Sequence, residues 1–302
     1  MNIVIQGNDK LIKTLEQYYY HEIDQNNKIP HTKFVVTNKD FKVIAYDSNK
    51  VMFQGKKASE EAAVWQQQAS IMIEEELIAS NLTNVVLHES IGSDEVGTGD
   101  FFGPVVVCAC YINENIVNQI AQYNITDSKM LSDDYICDVA NKIEKYVPHV
   151  IYILDNKTYN KVHQTNNLNQ IKAKMHNYVL AKLIKKINKK PMIIVDQFCS
   201  EKNYYNYLKD TPNTVIDGIN FETKAESKYL AVALASMFAR NAFLEEIDKL
   251  SHRLNINIIK GASNLVDELG VKIVNHYGLE ILDEIAKTHF KNTAKIKEKL
   301  KQ

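Results

Sequence analysis

The stretch Ile91-Gly92-Ser93-Asp94-Glu95-Val96-Gly97-Thr98-Gly99-Asp100-Phe101-Phe102-Gly103-Pro104 constrains this chain more than any other part of it. Two adjacent carboxylates precede three glycines, and an apolar run from Val105 to Ile112 comes next. Like charges that close resist being ionised together. A hard divalent ion relieves that cost, being held by one or two carboxylates plus substrate phosphate oxygens. A regular strand sends neighbouring side chains to opposite faces, so Asp94 and Glu95 converge only where the strand twists or ends. Gly97 and Gly99 provide that break and let backbone groups approach a ligand closely. The spacing fails as a dinucleotide fingerprint, because Pro104 and a strand stand where a helix should begin.

The 302 residues allow one large domain or two, and 45% apolar with 24% charged residues is ordinary for a soluble globular protein. Residues 1–84 read as a separate α+β unit. A short strand and a helix over 10–20 lead to three alternating strands (33–37, 41–46, 50–55) and a helix over 58–79. Residues 85–302 read as strands interrupted by helices, which gives an α/β layer fold. Strands are expected over 90–96, 104–112, 149–154, 192–198 and 214–218. Helices are expected over 132–146, 168–187, 201–209, 225–250, 265–277 and 279–288, with a polar loop after the strand at 149–154.

No run of 18 apolar residues and no leader-like apolar segment occurs, so the expected location is the cytoplasm. The four cysteines lack a zinc-type spacing and read as buried reduced thiols. A net charge of −1 hides a local excess: seven lysines and no acid fall between Lys172 and Lys190. Such a run is a solvated face at its far end, while Lys172 and Lys174 are placed to meet phosphates. With only two arginines, Arg240 and Arg253, phosphate contacts would rest on lysine and backbone amides.

Metal-dependent phosphoryl chemistry needs carboxylates from distant parts of the chain. Asp196 closes the apolar stretch Met192-Ile193-Ile194-Val195, either as such a ligand or as a helix cap or surface acid after the strand. Glu226 opens an alanine-rich helix, either as a ligand or as a helix-dipole acid.

Gly92-Ser93-Asp94-Glu95-Val96-Gly97-Thr98-Gly99-Asp100, with Gly103-Pro104, closely resembles the signature of bacterial ribonuclease HIII, a type 2 ribonuclease H. Asp127-Ser128-Lys129, Asn166-Asn167-Leu168-Asn169, Lys260-Gly261-Ala262-Ser263 and His289-Phe290-Lys291-Asn292-Thr293 also resemble this family, and the likeness covers about residues 85–295. It implies a ribonuclease H-like mixed five-stranded sheet with flanking helices. It implies a catalytic and metal-binding quartet of Asp94, Glu95, Asp196 and Glu226, the last often Asp in the related HII branch. Substrate contacts are implied at Gly97, Thr98, Gly99, Ser128, Lys129, Asn167 and Lys172, with Gly97-Thr98-Gly99 reading the 2′-hydroxyl that separates RNA from DNA. The first unit, through Lys50-Val51-Met52-Phe53-Gln54-Gly55-Lys56, resembles the small TATA-binding-protein-like domain that distinguishes HIII from HII and would grip substrate.

The expected activity is therefore endonucleolytic hydrolysis of the RNA strand in RNA–DNA hybrids by a monomer. The reaction would use two Mg²⁺ ions, with Mn²⁺ as a substitute, and leave 5′-phosphate and 3′-hydroxyl ends. A transposase or junction resolvase on the same fold is the rival enzyme, and a hybrid-binding module without activity is the rival outside enzymes. The Gly-Thr-Gly element weighs against the first and the intact acids against the second.

Overall fold

The computed structural model describes residues 2–24, 29–66, 68–69, 89–123, 125, 131–212 and 214–301. The chain divides into two compact units, Met1–Thr83 and Asn84–Gln302. In the first, β1 (Asn2–Gln6), β2 (Thr32–Thr37), β3 (Phe41–Tyr46) and β4 (Lys50–Gly55) form an antiparallel sheet in the order β1-β4-β3-β2. Alternation turns Ile5, Phe53, Val43 and Val36 inward. There they form a core with Leu11, Ile12 and Leu15 of α1 (Asp9–Tyr18) and with Ala58, Ala62 and Trp65. Asn8 starts α1 by accepting a hydrogen bond from the Leu11 amide at 2.9 Å. The register lines up Thr37, Lys42, Gln54 and Asn2 in one row on the opposite face, with Lys50 and Gln6 further along it. Residues 58–66 are helical; most of the remainder of the helix expected up to residue 79 lies outside the described residues.

The second unit is built on a mixed sheet of β5 (Ser90–Val96), β6 (Val105–Ile112), β7 (His149–Leu154), β8 (Met192–Asp196) and β9 (Ile219–Glu222). Its order is β7-β6-β5-β8-β9, antiparallel from β7 to β5 and parallel from β5 to β9. The helices are α2 (Glu114–Ile120), α3 (Asp133–Ile143), α4 (Asn156–His163), α5 (Leu168–Ile187), α6 (Glu201–Tyr207), α7 (Leu230–Leu254), α8 (Asn264–Tyr277), α9 (Ile281–Ile285) and α10 (Lys291–Lys299). Among the described residues, no helix is long and apolar enough to cross a membrane.

Two helices sandwich the central strand. A Cβ on Gly92 would lie 2.2 Å from the Ala231 carbonyl carbon and the Val232 amide, so α7 crosses β5 backbone to backbone. The buried Ala231, Ala233, Ala235 and Ala239 on α7 are small enough to permit that approach. The next residue, Ser93, points the other way, to His176 on α5. Gly92 and Asp94 therefore share the α7 face and Ser93 and Glu95 the α5 face; β5 stays paired through Val96, so the two carboxylates leave opposite faces instead of converging at a glycine break as expected.

Several expectations need correction. Residues 214–218 are not a strand. Asn177 of α5 donates to the Thr214 carbonyl at 3.0 Å and accepts from the Ile216 amide at 2.8 Å, so this segment is held by a side chain instead of a ladder. Pairing begins at Ile219, after Gly218 with φ 68°. The helix expected over 225–250 is interrupted: Ala225–Ser227 is a 3₁₀ turn, entered through Lys224 at φ 54°, and α7 starts at Leu230. The loop expected after β7 contains α4, capped by Asp155, which accepts from the Thr158 amide at 2.9 Å. The last expected helix shrinks to α9, and α2 and α10 are additional.

Gly92→Ala should lower unfolding free energy by ~2–3 kcal/mol, because the clash is with backbone and cannot be relieved by a rotamer change. Urea denaturation checks this, and an unchanged midpoint would contradict the close crossing of α7 over β5.

Candidate active site

The carboxyl ends of the parallel neighbours β5 and β8 bring the acids together. Asp94 is 7% exposed, takes a hydrogen bond from Ser236 of α7, and accepts one from the Glu95 amide at 2.7 Å. Asp196, at the end of β8, accepts from the Ala225 amide at 2.9 Å and shares a hydrogen bond with Glu226. Glu226 lies in the 3₁₀ turn before α7 and is 4% exposed. The turn thus has a cause: the Asp196 carboxylate fastens its first amide, and this draws Glu226 to the strand end.

Burial, then the charges of Glu95 and Asp196, push the Asp94 carboxyl up to about 8. Asp196 is also raised, first by burial and then by Glu226 and Glu95. Glu95 behaves differently. Burial alone would raise it, but the hydrogen bond and charge of His176, then those of Lys172, hold it below the usual carboxylate range.

The cause is a clasp on the α5 face. Lys172 Nζ donates to Glu95 Oε1 at 2.7 Å, and His176 Nε2 donates to Oε2 at 2.9 Å. Lys172 and His176 are four residues apart on α5 and so share one face of the helix. Phe198, two residues past Asp196, supports both: its ring lies 4.2 Å from Lys172 Nζ and stacks on His176 with centroids 5.1 Å apart. Ser93 Oγ donates to the Cys108 carbonyl at 2.9 Å and is hydrogen-bonded to His176 Nδ1 at 2.7 Å. The ring is fully buried.

Asp94, Asp196 and Glu226 are hard oxygen donors crowded where repulsion opposes full ionisation, a set that suits a divalent cation. As they stand, no three His, Cys, Asp or Glu side chains among the described residues close round one point. Both oxygens of Glu95 are turned to α5.

The remaining expected contacts divide. Gly97 has φ 90°, and a Cβ there would meet the Pro104 carbonyl at 2.3 Å, so the fold itself requires glycine. Gly99 has open space where a Cβ would be, and Thr98 beside it is partly exposed. Asn167 caps α5, accepting from the Gln170 amide at 2.9 Å. Lys172 is 7% exposed and paired with Glu95, while Lys174 is exposed and donates to Asn166 at 2.7 Å. Ser128 and Lys129 lie outside the described residues. Sequence reasoning missed Ser93, His176, Phe198 and Ser236. Only the four-residue spacing of His176 from Lys172 could have signalled any of them.

Residues 91–293 match the model of the ribonuclease HII family, and residues 2–73 match a domain of unknown function (DUF3378). The chain is 38% identical to ribonuclease HIII of Geobacillus kaustophilus over 97% of each chain. It is 35% identical to ribonuclease HIII of Enterococcus faecalis over 89% of this chain and 90% of the relative. Among solved structures, Bst-RNase HIII in complex with Mn²⁺ superposes with a TM-score of 0.69 and 35% identity, covering 100% of this chain and 99% of that one. Ribonuclease H2 of Pyrococcus horikoshii, at 22% identity and a TM-score of 0.58 over 71% of this chain, shares the fold.

His176→Phe would keep the stack on Phe198 but leave Glu95 Oε2 without its buried donor. Unfolding free energy should fall by ~3 kcal/mol, as when one partner of a buried pair is removed. Chelator-treated protein unfolded in urea provides the measurement; an unchanged midpoint would show that Glu95 does not depend on the ring.

Proposed function

The chain belongs to the ribonuclease HIII family, and from that premise we propose that it hydrolyses the RNA strand of RNA–DNA hybrids with two divalent ions, leaving 5′-phosphate and 3′-hydroxyl ends. The observation that carries this reading is that three separate stretches of chain gather at the ends of two neighbouring parallel strands, where Asp196 lies near enough to Asp94 to act on its charge and shares a hydrogen bond with Glu226. Asp94, Asp196 and Glu226 would hold Mg²⁺, or Mn²⁺ in its place, and Glu95 would join them only through the carboxylate lone pairs that Lys172 and His176 leave free. Held by these residues, divalent ions would supply activation of water and neutralisation of charge on the leaving 3′ oxygen.

The protein's own groups supply position and charge. Ser236 orients Asp94, the Ala225 amide orients Asp196, and the clasp of Lys172 and His176 keeps Glu95 ionised at the rim of the cluster. Lys172 thereby serves the carboxylate centre instead of a surface phosphate. Gly97-Thr98-Gly99 lies directly beyond the acids, and the open space over Gly99 suits close approach of a ribose. In the first unit, the row of Thr37, Lys42, Gln54 and Asn2, with Lys50 and Gln6, offers amide, hydroxyl and ammonium donors on one sheet face. These donors suit a nucleic-acid backbone, and this unit grips the hybrid. The enzyme acts as a monomer in the cytoplasm.

Asp94→Asn should abolish cleavage of a hybrid while leaving its binding within about twofold, since affinity comes mostly from phosphate contacts. Cleavage assays with a hybrid, an all-DNA duplex and a duplex carrying one ribonucleotide, beside a binding titration, test this. Cutting of the all-DNA duplex, or near-normal rates in the variant, would overturn the reading.

A chain starting at Asn84 should fold and retain turnover at saturation, with KM raised ~10²-fold through loss of a linked binding unit. Steady-state rates over a range of hybrid concentrations check this, and an unchanged KM would remove the binding role of the first unit.

A further inference from the structure

Lys287 is fully buried, yet the proposed reaction makes no use of it. Burying an ammonium is costly, and here burial pushes it down to about 7, against the pull of Asp100. An apolar side chain would fill the same space without that cost, so the position of its donors asks for an explanation. Nζ donates to the Asp100 carbonyl at 2.8 Å and to the Gly103 carbonyl at 2.5 Å. Both acceptors lie in the loop that continues from Gly97-Thr98-Gly99.

The backbone around Lys287 grips the same loop. Its amide donates to the Phe101 carbonyl at 2.8 Å, and the Gly103 amide donates to the Ile285 carbonyl at 2.9 Å. Gly261 donates to Asp100 Oδ1 at 2.5 Å and accepts from the Phe101 amide at 2.9 Å. The segment carrying Lys287 is itself anchored by α4. Asn160 donates to the Ala286 carbonyl at 2.9 Å and accepts from the Thr288 amide at 3.0 Å, while Asn156 donates to the Gly103 carbonyl at 2.8 Å. The loop is thus tied from Asp100 to Gly103 and fixed at Gly97 by its contact with Pro104, and Gly99 stands open between the two.

We propose that Lys287 is a positioning residue that sets, from beneath, where Gly97-Thr98-Gly99 meets the ribose, and so tunes discrimination between ribose and deoxyribose. This rests on the ribose-reading role proposed for that tripeptide. The Lys287 ammonium bonds to backbone carbonyls and not to the four acids, so its loss should alter sugar discrimination without altering cation affinity.

The test uses full-length protein and a set of hybrids whose RNA strand carries one 2′-deoxynucleotide, moved one position at a time. In the wild type, kcat/KM should drop sharply at one or two positions beside the cut. In Lys287→Met that penalty should shrink by about threefold to tenfold, the equivalent of one hydrogen bond, while Lys287→Arg retains more of it. Mn²⁺ affinity, read by titration calorimetry, should stay within about twofold in both variants. A variant that slows every hybrid equally and keeps the penalty profile would make Lys287 a stability residue and overturn the inference. If the Met variant does not fold, Lys287→Gln is read in its place, and failure of both to fold overturns the inference as well. A flat profile in the wild type would instead remove the ribose-reading role of Gly97-Thr98-Gly99.

Discussion

Mutual repulsion among buried carboxylates is the constraint on which the second unit depends. Asp94, Asp196 and Glu226 are held at one end of a sheet, where burial and their neighbours' charges drive Asp94 and Asp196 toward protonation. Three arrangements keep them there. Parallel pairing of β5 with β8 sets two strand ends side by side. The backbone crossing of α7 at Gly92 brings Ser236 to Asp94. The Ala225 amide, bonded to Asp196, ties down the turn that carries Glu226. Each positions an acid without supplying a counter-charge, which leaves that part to a proton or a cation.

Glu95 is managed by the opposite means. It points to the other face of β5, where Lys172 and His176 supply counter-charge directly. The two faces divide the work: the α7 face gathers uncompensated carboxylates, and the α5 face compensates one. Strand alternation alone enforces this split between adjacent residues.

Much of this was legible because it is local. The Asp94-Glu95 pair before a glycine break, Asp196 at the end of an apolar strand and the lysine-rich helix over 168–187 are each defined by neighbouring residues. The partners of Glu95 were not legible, since Lys172 lies 77 and His176 81 residues away. For the same reason Lys172 read as a phosphate contact: a lysine in a basic run shows nothing of a buried acid across the fold. The segment over 214–218 opens with the β-branched Thr214, Val215 and Ile216, which suit a strand, but the side-chain amide of Asn177 satisfies its backbone first. Helix α4 was hidden by its polar composition, although its buried Asn156 and Asn160 serve the loop and strap that Lys287 joins.

The central claim is that Asp94, Asp196 and Glu226 form a site for divalent cations. Equilibrium binding of Mn²⁺ to wild type, Asp94→Asn and Glu226→Gln, each verified as folded, tests it most directly. Binding should be saturable in the wild type and at least ~10-fold weaker in each variant, the scale on which a lost charged ligand is felt. Equal affinity in all three proteins would contradict it.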